Sequence, residues 1–157
     1  MEPIKKSKKV LVVGGGVGGM QSAITAFDCG HQVILAEKDD KLGGVLFFTD
    51  TDIDKPDLCN FKNMMVKEIS KENIEVLENT KCLEIYKDSV KVLTPEGKEE
   101  IIKGDTVLYA LGMKSINIDE LKGNIEKDIE IKVIGDAKKT GKIDGAIRGG
   151  YLAAIEL

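Results

Sequence analysis

The segment Val12-Val13-Gly14-Gly15-Gly16-Val17-Gly18-Gly19-Met20 constrains the fold more than any other part of the chain. Residues Lys9 to Val13 read as a short apolar strand. From Met20 to Cys29 apolar residues and alanines recur at helical spacing, with Gly30 where the glycine after a helix belongs. Gln32 to Ala36 is a second short strand, β-branched and fully apolar, of the kind buried in parallel sheets. Strand, glycine turn, helix and strand together make one unit of about 30 residues, the size of a parallel βαβ crossover.

The rest of the chain continues that theme. A second break at Gly43-Gly44 leads through a loop from Asp50 to Lys55, and Pro56 opens a helix running to about Lys71. Ile74 to Leu77 is a third short strand. Leu83–Ile85, Val90–Leu93 and Glu99–Ile102 alternate like solvent-facing strands, separated by turns at Lys87-Asp88 and Pro95-Glu96-Gly97. They predict an antiparallel three-stranded meander. Thr106 to Ala110 is another buried strand ending on Gly112, residues 113–129 are a loop with a weak helical turn, and Ile131 to Ile134 is a last strand ending on Gly135-Asp136. A final amphipathic helix runs from Ile143 to Leu157. The expected organisation is a lead over residues 1–8 without order and one domain over 9–157.

Composition excludes several function classes. The chain has 157 residues, 42% hydrophobic and 32% charged, which suits one soluble globular domain. Its net charge is −4 with acidic and basic residues interspersed, so no surface that would track nucleic-acid phosphates is evident. The lysines at 5, 6, 8 and 9 read as a solvated lead. No apolar run approaches the roughly 20 residues of a membrane span, and the N-terminus lacks the apolar core of a signal peptide. Cys29, Cys59 and Cys82 form no C-x-x-C pair, so neither a redox dithiol nor a four-cysteine cluster is expected; idle thiols in a reducing cytoplasm are the simplest account. His31, beside Gly30, reads as a turn residue.

Gly14, Gly16 and Gly19 fit G-x-G-x-x-G, each with its own task. The first permits the tight turn, the second lets the backbone approach a pyrophosphate, and the third lets helix and strand pack closely. The helix N-terminus then offers free N–H groups and a positive dipole end to the phosphates. The second strand ends at Glu37, 18 residues beyond Gly19, where a carboxylate accepts hydrogen bonds from both ribose hydroxyls and would repel a 2′-phosphate. The site therefore favours FAD or NAD over NADP.

The glycine segment followed by Glu37-Lys38-Asp39-Asp40-Lys41-Leu42-Gly43-Gly44 resembles the FAD-binding start of the two-dinucleotide-binding flavoproteins, the pyridine nucleotide-disulfide oxidoreductase superfamily. Within these the chain is most similar to the C-terminal flavin module of the 2,4-dienoyl-CoA reductase, 2-enoate reductase and trimethylamine dehydrogenase group, over nearly its whole length. The resemblance implies that Gly43-Gly44 mark the loop folding over the ADP moiety and that Glu37 holds the adenosine ribose. A backbone group at Cys82 would pair with the adenine edge. The stretch Asp105-Thr106-Val107-Leu108-Tyr109-Ala110-Leu111-Gly112 resembles the strand ending in Ala-Thr-Gly, with Leu111 replacing threonine. Ile131-Lys132-Val133-Ile134-Gly135-Asp136 resembles the segment whose aspartate hydrogen-bonds the ribityl chain of FAD, a contact an NAD site lacks. The helix from Ile143 would aim its N-terminus at the flavin, its dipole favouring the charge of a reduced isoalloxazine. The cofactor residues so implied are Gly14, Gly16, Val17, Gly18, Gly19, Glu37, Lys38, Gly43, Gly44, Cys82, Ala110, Leu111, Gly112, Gly135, Asp136 and Ile143.

Besides Leu111, the chain departs from the pattern in domain content, and the N-terminal barrel domain of that group is not part of the resemblance. The family normally inserts a complete NAD(P)-binding domain before the Gly-Asp segment, whereas only 18 residues, Met113 to Glu130, separate Gly112 from Ile131 here. A single βαβ unit needs 30 or more. The expected fold is a three-layer Rossmann-like α/β domain, a central parallel sheet with helices on one face and the meander on the other. The expected function is FAD binding and electron transfer within an NAD(P)H-dependent flavin oxidoreductase, with further domains or subunits as partners. The alternatives are an NAD-binding domain of the same family and a non-catalytic interaction domain with the same fold. No pair of residues suggests a catalytic acid, base or nucleophile, and none suggests a metal site.

Overall fold

The computed structural model describes residues 6–46, 55–119, 123 and 129–156. It divides into two compact units, residues 1–112 and 113–157. The first is built on strands β1 (Lys9–Val13), β2 (Gln32–Ala36), β3 (Glu75–Leu77) and β7 (Thr106–Tyr109). They form one parallel sheet in the order β3-β2-β1-β7, with Val10 opposite Val33 and Thr106.

β1 is apolar on both sides because both of its faces are covered, whereas Leu108 and Tyr109 of β7 are exposed. Val10 and Val12 pack with Met20 and Ala23 of helix α1 (Val17–Asp28) and with Met65 and Ile69 of helix α2 (Pro56–Lys71). Leu11, Val13 and Ile34 point the other way, onto Val90 and Val92. Those two valines belong to the meander of β4 (Lys81–Ile85), β5 (Ser89–Leu93) and β6 (Glu99–Lys103), an antiparallel sheet in the order β4-β5-β6. The expected three layers are thus present: helices, parallel sheet, meander. Each fully buried Met or Leu in this core contributes about 1.5–3 kcal/mol through burial.

Alternation sorts the meander residues. Val90 and Val92 are buried, while Lys91 between them pairs with Glu99 at 2.5 Å. The register shifts between Cys82 and Glu84, and the Tyr86 hydroxyl donates to Glu84 at 2.6 Å. β7 is tied to β1 at its start: Asp105 Oδ2 accepts the Lys9 N–H at 2.8 Å, and the Asp105 N–H donates to Lys9 O at 2.7 Å.

Residues 1–5 of the expected lead lie outside the described residues. Ser7 and Lys8, by contrast, are held against the turn after α1. Ser7 Oγ donates to Gly30 O at 2.8 Å, and the Lys8 N–H donates to His31 Nδ1 at 3.2 Å. Most of the 50–55 loop, part of the 113–129 segment and Leu157 also lie outside.

The second unit contains a single-turn helix α3 (Gly135–Lys138) and helix α4 (Ile143–Ile155). Here one expectation is corrected. Ile131–Ile134 forms no strand, and Gly135-Asp136 opens α3 instead of ending one. A β-strand exists only through its ladder partner, and this unit has no other strand among its described residues. The segment is held instead by side chains. Lys132 Nζ lies 3.4 Å from both Glu130 and Glu156, and Gly149 and Gly150 of α4 approach Gly135 and Ile134.

Candidate functional site

The glycine turn sits at the carboxyl end of β1, between β2 and β7. The Gly14 N–H donates to Ala36 O at 2.8 Å, and the Ala110 N–H donates to Val13 O at 2.8 Å. Gly14 adopts φ +102°, a conformation glycine reaches without strain, and a Cβ there would run into the Ala110 carbonyl. A Cβ at Gly19 would run into Gly14 O, so α1 leaves the turn packed directly on its backbone. The first glycine thus turns left-handed and the third lies against the backbone of the turn.

Gly16 differs. It caps α1 with φ −72° and ψ −178°, and a Cβ built on it meets nothing within 4 Å. The space beside it is open, as a cradle for a ligand's phosphates requires. Gly18 is similar, with only the Ala110 Cβ at 3.9 Å. Val17 starts the helix and packs partly into the core. No side chain caps α1 and no acidic residue stands in its first turn. Among the described residues the N–H groups of Gly16, Val17, Gly18 and Gly19 have no protein acceptor, and the first amide after them, Met20, bonds to Gly16 O at 2.9 Å. Four adjacent donors on a positive helix end are the arrangement that binding an anion requires.

Glu37 is buried, at 5% exposure, and its carboxylate faces the turn. Oε2 accepts the Gly15 N–H at 2.5 Å and Oε1 accepts the Asp39 N–H at 2.9 Å. Its backbone bridges to the end of β3, with the Glu37 N–H donating to Leu77 O at 2.9 Å and the Thr80 N–H to Glu37 O at 2.7 Å. Lys38 points away on the surface and pairs with Asp39 at 2.6 Å; that bond holds the lysine's pKa above its ordinary value. The Gly43-Gly44 turn lies on the glycine loop. The Gly43 N–H donates to Gly15 O at 2.8 Å, and a Cβ on Gly44 would come 3.0 Å from Gly16 Cα.

Gly15 is the residue that the sequence pattern passed over. It stands at a variable position of G-x-G-x-x-G, yet its amide meets Glu37, its carbonyl meets Gly43, and a Cβ on it would strike Leu42 and Glu37. Three consecutive glycines where the motif demands two was the available signal. Cys82 is the second residue of β4, just after Thr80, whose N–H reaches Glu37 O; it is half-buried, its thiol 3.9 Å from Glu84 O, and burial pushes its pKa up. Leu111 is exposed and Gly112 turns left-handed at φ +79°.

The remaining predicted residues belong to the second unit. Asp136 is the second residue of α3 and its Oδ1 accepts the Gly141 N–H at 3.3 Å. With Gly135, Lys139, Lys142, Arg148 and Gly149 it lines a cavity of about 610 Å³, and Ile143 is the first residue of α4. Among the described residues no three His, Cys, Asp or Glu are grouped to hold a metal ion, and no helix is long and apolar enough to cross a membrane.

Comparison with known proteins decides the family. The pyridine nucleotide-disulphide oxidoreductase profile matches residues 8–145. The chain belongs to the pyridine nucleotide-disulphide oxidoreductase family. Members of this family bind FAD and NAD(P). The chain is 32% identical over 153 residues to an NADH oxidase of Thermoanaerobacter brockii, a match covering 97% of this chain and 22% of the oxidase. It is 32% identical over 121 residues to a cinnamate reductase of Clostridium sporogenes, covering 69% of this chain and 18% of that protein. Among solved structures, 2-naphthoyl-CoA reductase superposes with a TM-score of 0.53 at 27% identity, over 98% of this chain and 22% of the reductase. The chain thus spans about a fifth of the length of these oxidoreductases. The glycine loop, Glu37 and the Gly43-Gly44 turn all fall within the matched residues.

Proposed function

We propose that this member of the family is an FAD-binding electron-transfer module of an NAD(P)H-dependent flavin oxidoreductase of the enoate or dienoyl-CoA reductase kind. One observation carries the reading: four unpartnered amides, Gly16 to Gly19, at an uncapped helix end beside open space, with a buried carboxylate at the end of the adjacent strand. This donor set fits the pyrophosphate of a dinucleotide. The first unit by itself offers a place for an ADP moiety, through Gly14, Gly16 and Gly19, with Val17, Gly18, Glu37, Lys38, Gly43, Gly44 and Cys82 as the other residues of that unit. Ala110, Leu111 and Gly112 form the neighbouring strand end. Gly135, Asp136 and Ile143 keep the flavin-side roles that the sequence resemblance implies, and Asp136 distinguishes FAD from NAD. When bound, the flavin supplies the redox chemistry; the chain's residues bind it, orient it and set its electrostatics.

Turnover of NADH with an organic acceptor needs a second nucleotide held within roughly 3–3.5 Å of the flavin, and this sequence carries one glycine loop. The enoyl or CoA-thioester substrate and the second nucleotide domain therefore belong to further domains or subunits.

The test is the absorbance spectrum of the purified chain with and without added FAD, followed by calorimetric titration with FAD and NADH. Flavin bands that persist through gel filtration, and a lower Kd for FAD, are the expected result. Tighter binding of NADH would replace the reading with a nicotinamide-binding domain, and no binding of either with an interaction domain.

A further inference from the structure

We propose that the Glu37 carboxylate acts first as a positioning group for the glycine loop, and that this role, more than contact with ribose, is what it contributes to affinity. The proposal rests on the dinucleotide reading of the loop and concerns how that site is kept ready.

Gly15 is the node. Its N–H points inward to Glu37 Oε2 at 2.5 Å, and its C=O accepts from Gly43 at 2.8 Å. Fixing both sides of one residue fixes the planes of the two peptides that flank it. The next donors along the chain, Gly16 to Gly19, are left pointing at open space. Were the Gly15 amide free to rotate outward, the loop would have many arrangements and would lose that freedom on binding, a cost that lowers affinity. Charge-assisted bonds of this kind are short and roughly twice as strong as neutral ones.

The carboxylate is itself held. Oε1 takes the Asp39 N–H, the Glu37 backbone is bonded on both sides to the β3 end, and the residue is buried at 5% exposure. Leu42 fills the space beside Gly15, where a Cβ would strike it. A carboxylate has about four lone-pair sites, so two are committed to the backbone before any ligand arrives. Ribose hydroxyls would share what remains.

Glu37→Gln tests this with the least change of shape. Its amide has one acceptor oxygen, so one of the two backbone N–H groups faces an NH₂ and loses its partner. The full chain and the variant are titrated with ADP and with 2′,3′-dideoxy-ADP, which keeps the pyrophosphate but lacks both hydroxyls. Positioning predicts the same loss for both ligands, roughly tenfold, as expected for one charge-assisted hydrogen bond. A loss confined to ADP overturns the proposal, because Glu37 then acts on the hydroxyls. Unchanged affinity for both ligands overturns it as well.

Amide hydrogen exchange on the unsubstituted chain gives a second readout without ligand. Gly15 should exchange roughly tenfold or more slowly than Gly16 and Gly18, and equal rates overturn the proposal. Failure of the unsubstituted chain to bind either nucleotide would instead sink the dinucleotide reading, with the exchange rates still deciding the role of Glu37.

Discussion

The two units use apolar residues with similar local patterns and opposite results. In the first, Met20, Leu35, Met65, Ile69, Val12 and Val92 are fully buried, each enclosed by elements distant in sequence. In the second, α4 repeats an apolar residue at every fourth position, Ile143, Ile147, Tyr151 and Ile155, and every one of them is exposed. An amphipathic spacing makes a helix; only a partner surface makes a core. Stability should therefore be concentrated in the core of the first unit.

The largest predicted effect is a direct test of that contrast. Leu35→Ala should lower unfolding free energy by about 2–5 kcal/mol, the range for truncating a buried leucine. Ile147→Ala, an equally apolar truncation at an exposed position, should change it by no more than about 0.5 kcal/mol. Urea unfolding of both variants measures the difference. A loss at Ile147 as large as at Leu35 would mean that α4 is buried in solution and that the contrast between the units is wrong.

Gly16→Val separates folding from binding within the first unit. The glycine's φ and ψ are open to valine, and its Cβ would meet no neighbour, so the melting temperature should not fall. Its side chain would stand where a pyrophosphate meets the loop, and FAD affinity should drop by at least about tenfold, or 1.4 kcal/mol. Unchanged affinity by calorimetry would reduce the loop to a turn. Gly19→Val, which would strike Gly14 O, should instead cost stability, about 1–3 kcal/mol by overpacking.

These variants show why the first unit was legible in the sequence. β1, the glycine turn, α1 and β2 carry local signals that agree with the tertiary answer: apolar runs for a doubly covered sheet, periodicity for a helix, glycines for close approach. The start of α2 at Pro56 and its end at Lys71 were equally plain. The node at Gly15 was not, because its importance comes from Glu37, Leu42 and Gly43 meeting it in space, and no local rule marks a variable position as closed. The second unit fails for the complementary reason. Ile131–Ile134 has a strand's composition, but composition cannot supply the neighbour that a ladder requires. The Gly135-Asp136 motif was readable as sequence, and its residues line a cavity, yet among the described residues the bond Asp136 makes is to Gly141 of its own unit.

Asp136 sharpens the comparison from the other side. If it serves the ribityl chain, Asp136→Ala should weaken FAD by roughly fivefold, about 1 kcal/mol for one hydrogen bond, and leave ADP untouched. Glu37→Gln should weaken both. Competition of ADP against FAD in each variant checks the pair. Equal losses for FAD and ADP in Asp136→Ala would remove its assignment to the flavin side.

The smallest expected effect concerns Cys82, and it reports on packing within the first unit, where all three cysteines lie. Burial is the main cause that raises its pKa, opposed by the contact with Glu84 O. The thiolate is the reactive form, so a raised pKa keeps the folded thiol protonated at neutral pH and slows its alkylation. In a chain carrying Cys29→Ser and Cys59→Ser, iodoacetamide should modify Cys82 more slowly than it modifies the same chain in urea. The rate in the folded chain should rise at a higher pH than in the unfolded one. Bound ADP should slow the folded rate further, by a factor of about two to three, if the backbone at Cys82 meets the adenine edge, since the ligand would cover a thiol that is already half-buried. An FAD-sensitive but ADP-insensitive rate would place the adenine elsewhere. A rate in the folded chain equal to that in urea would show that the meander opens readily, and the distinction between the packed first unit and the exposed side chains of α4 would fail at this point.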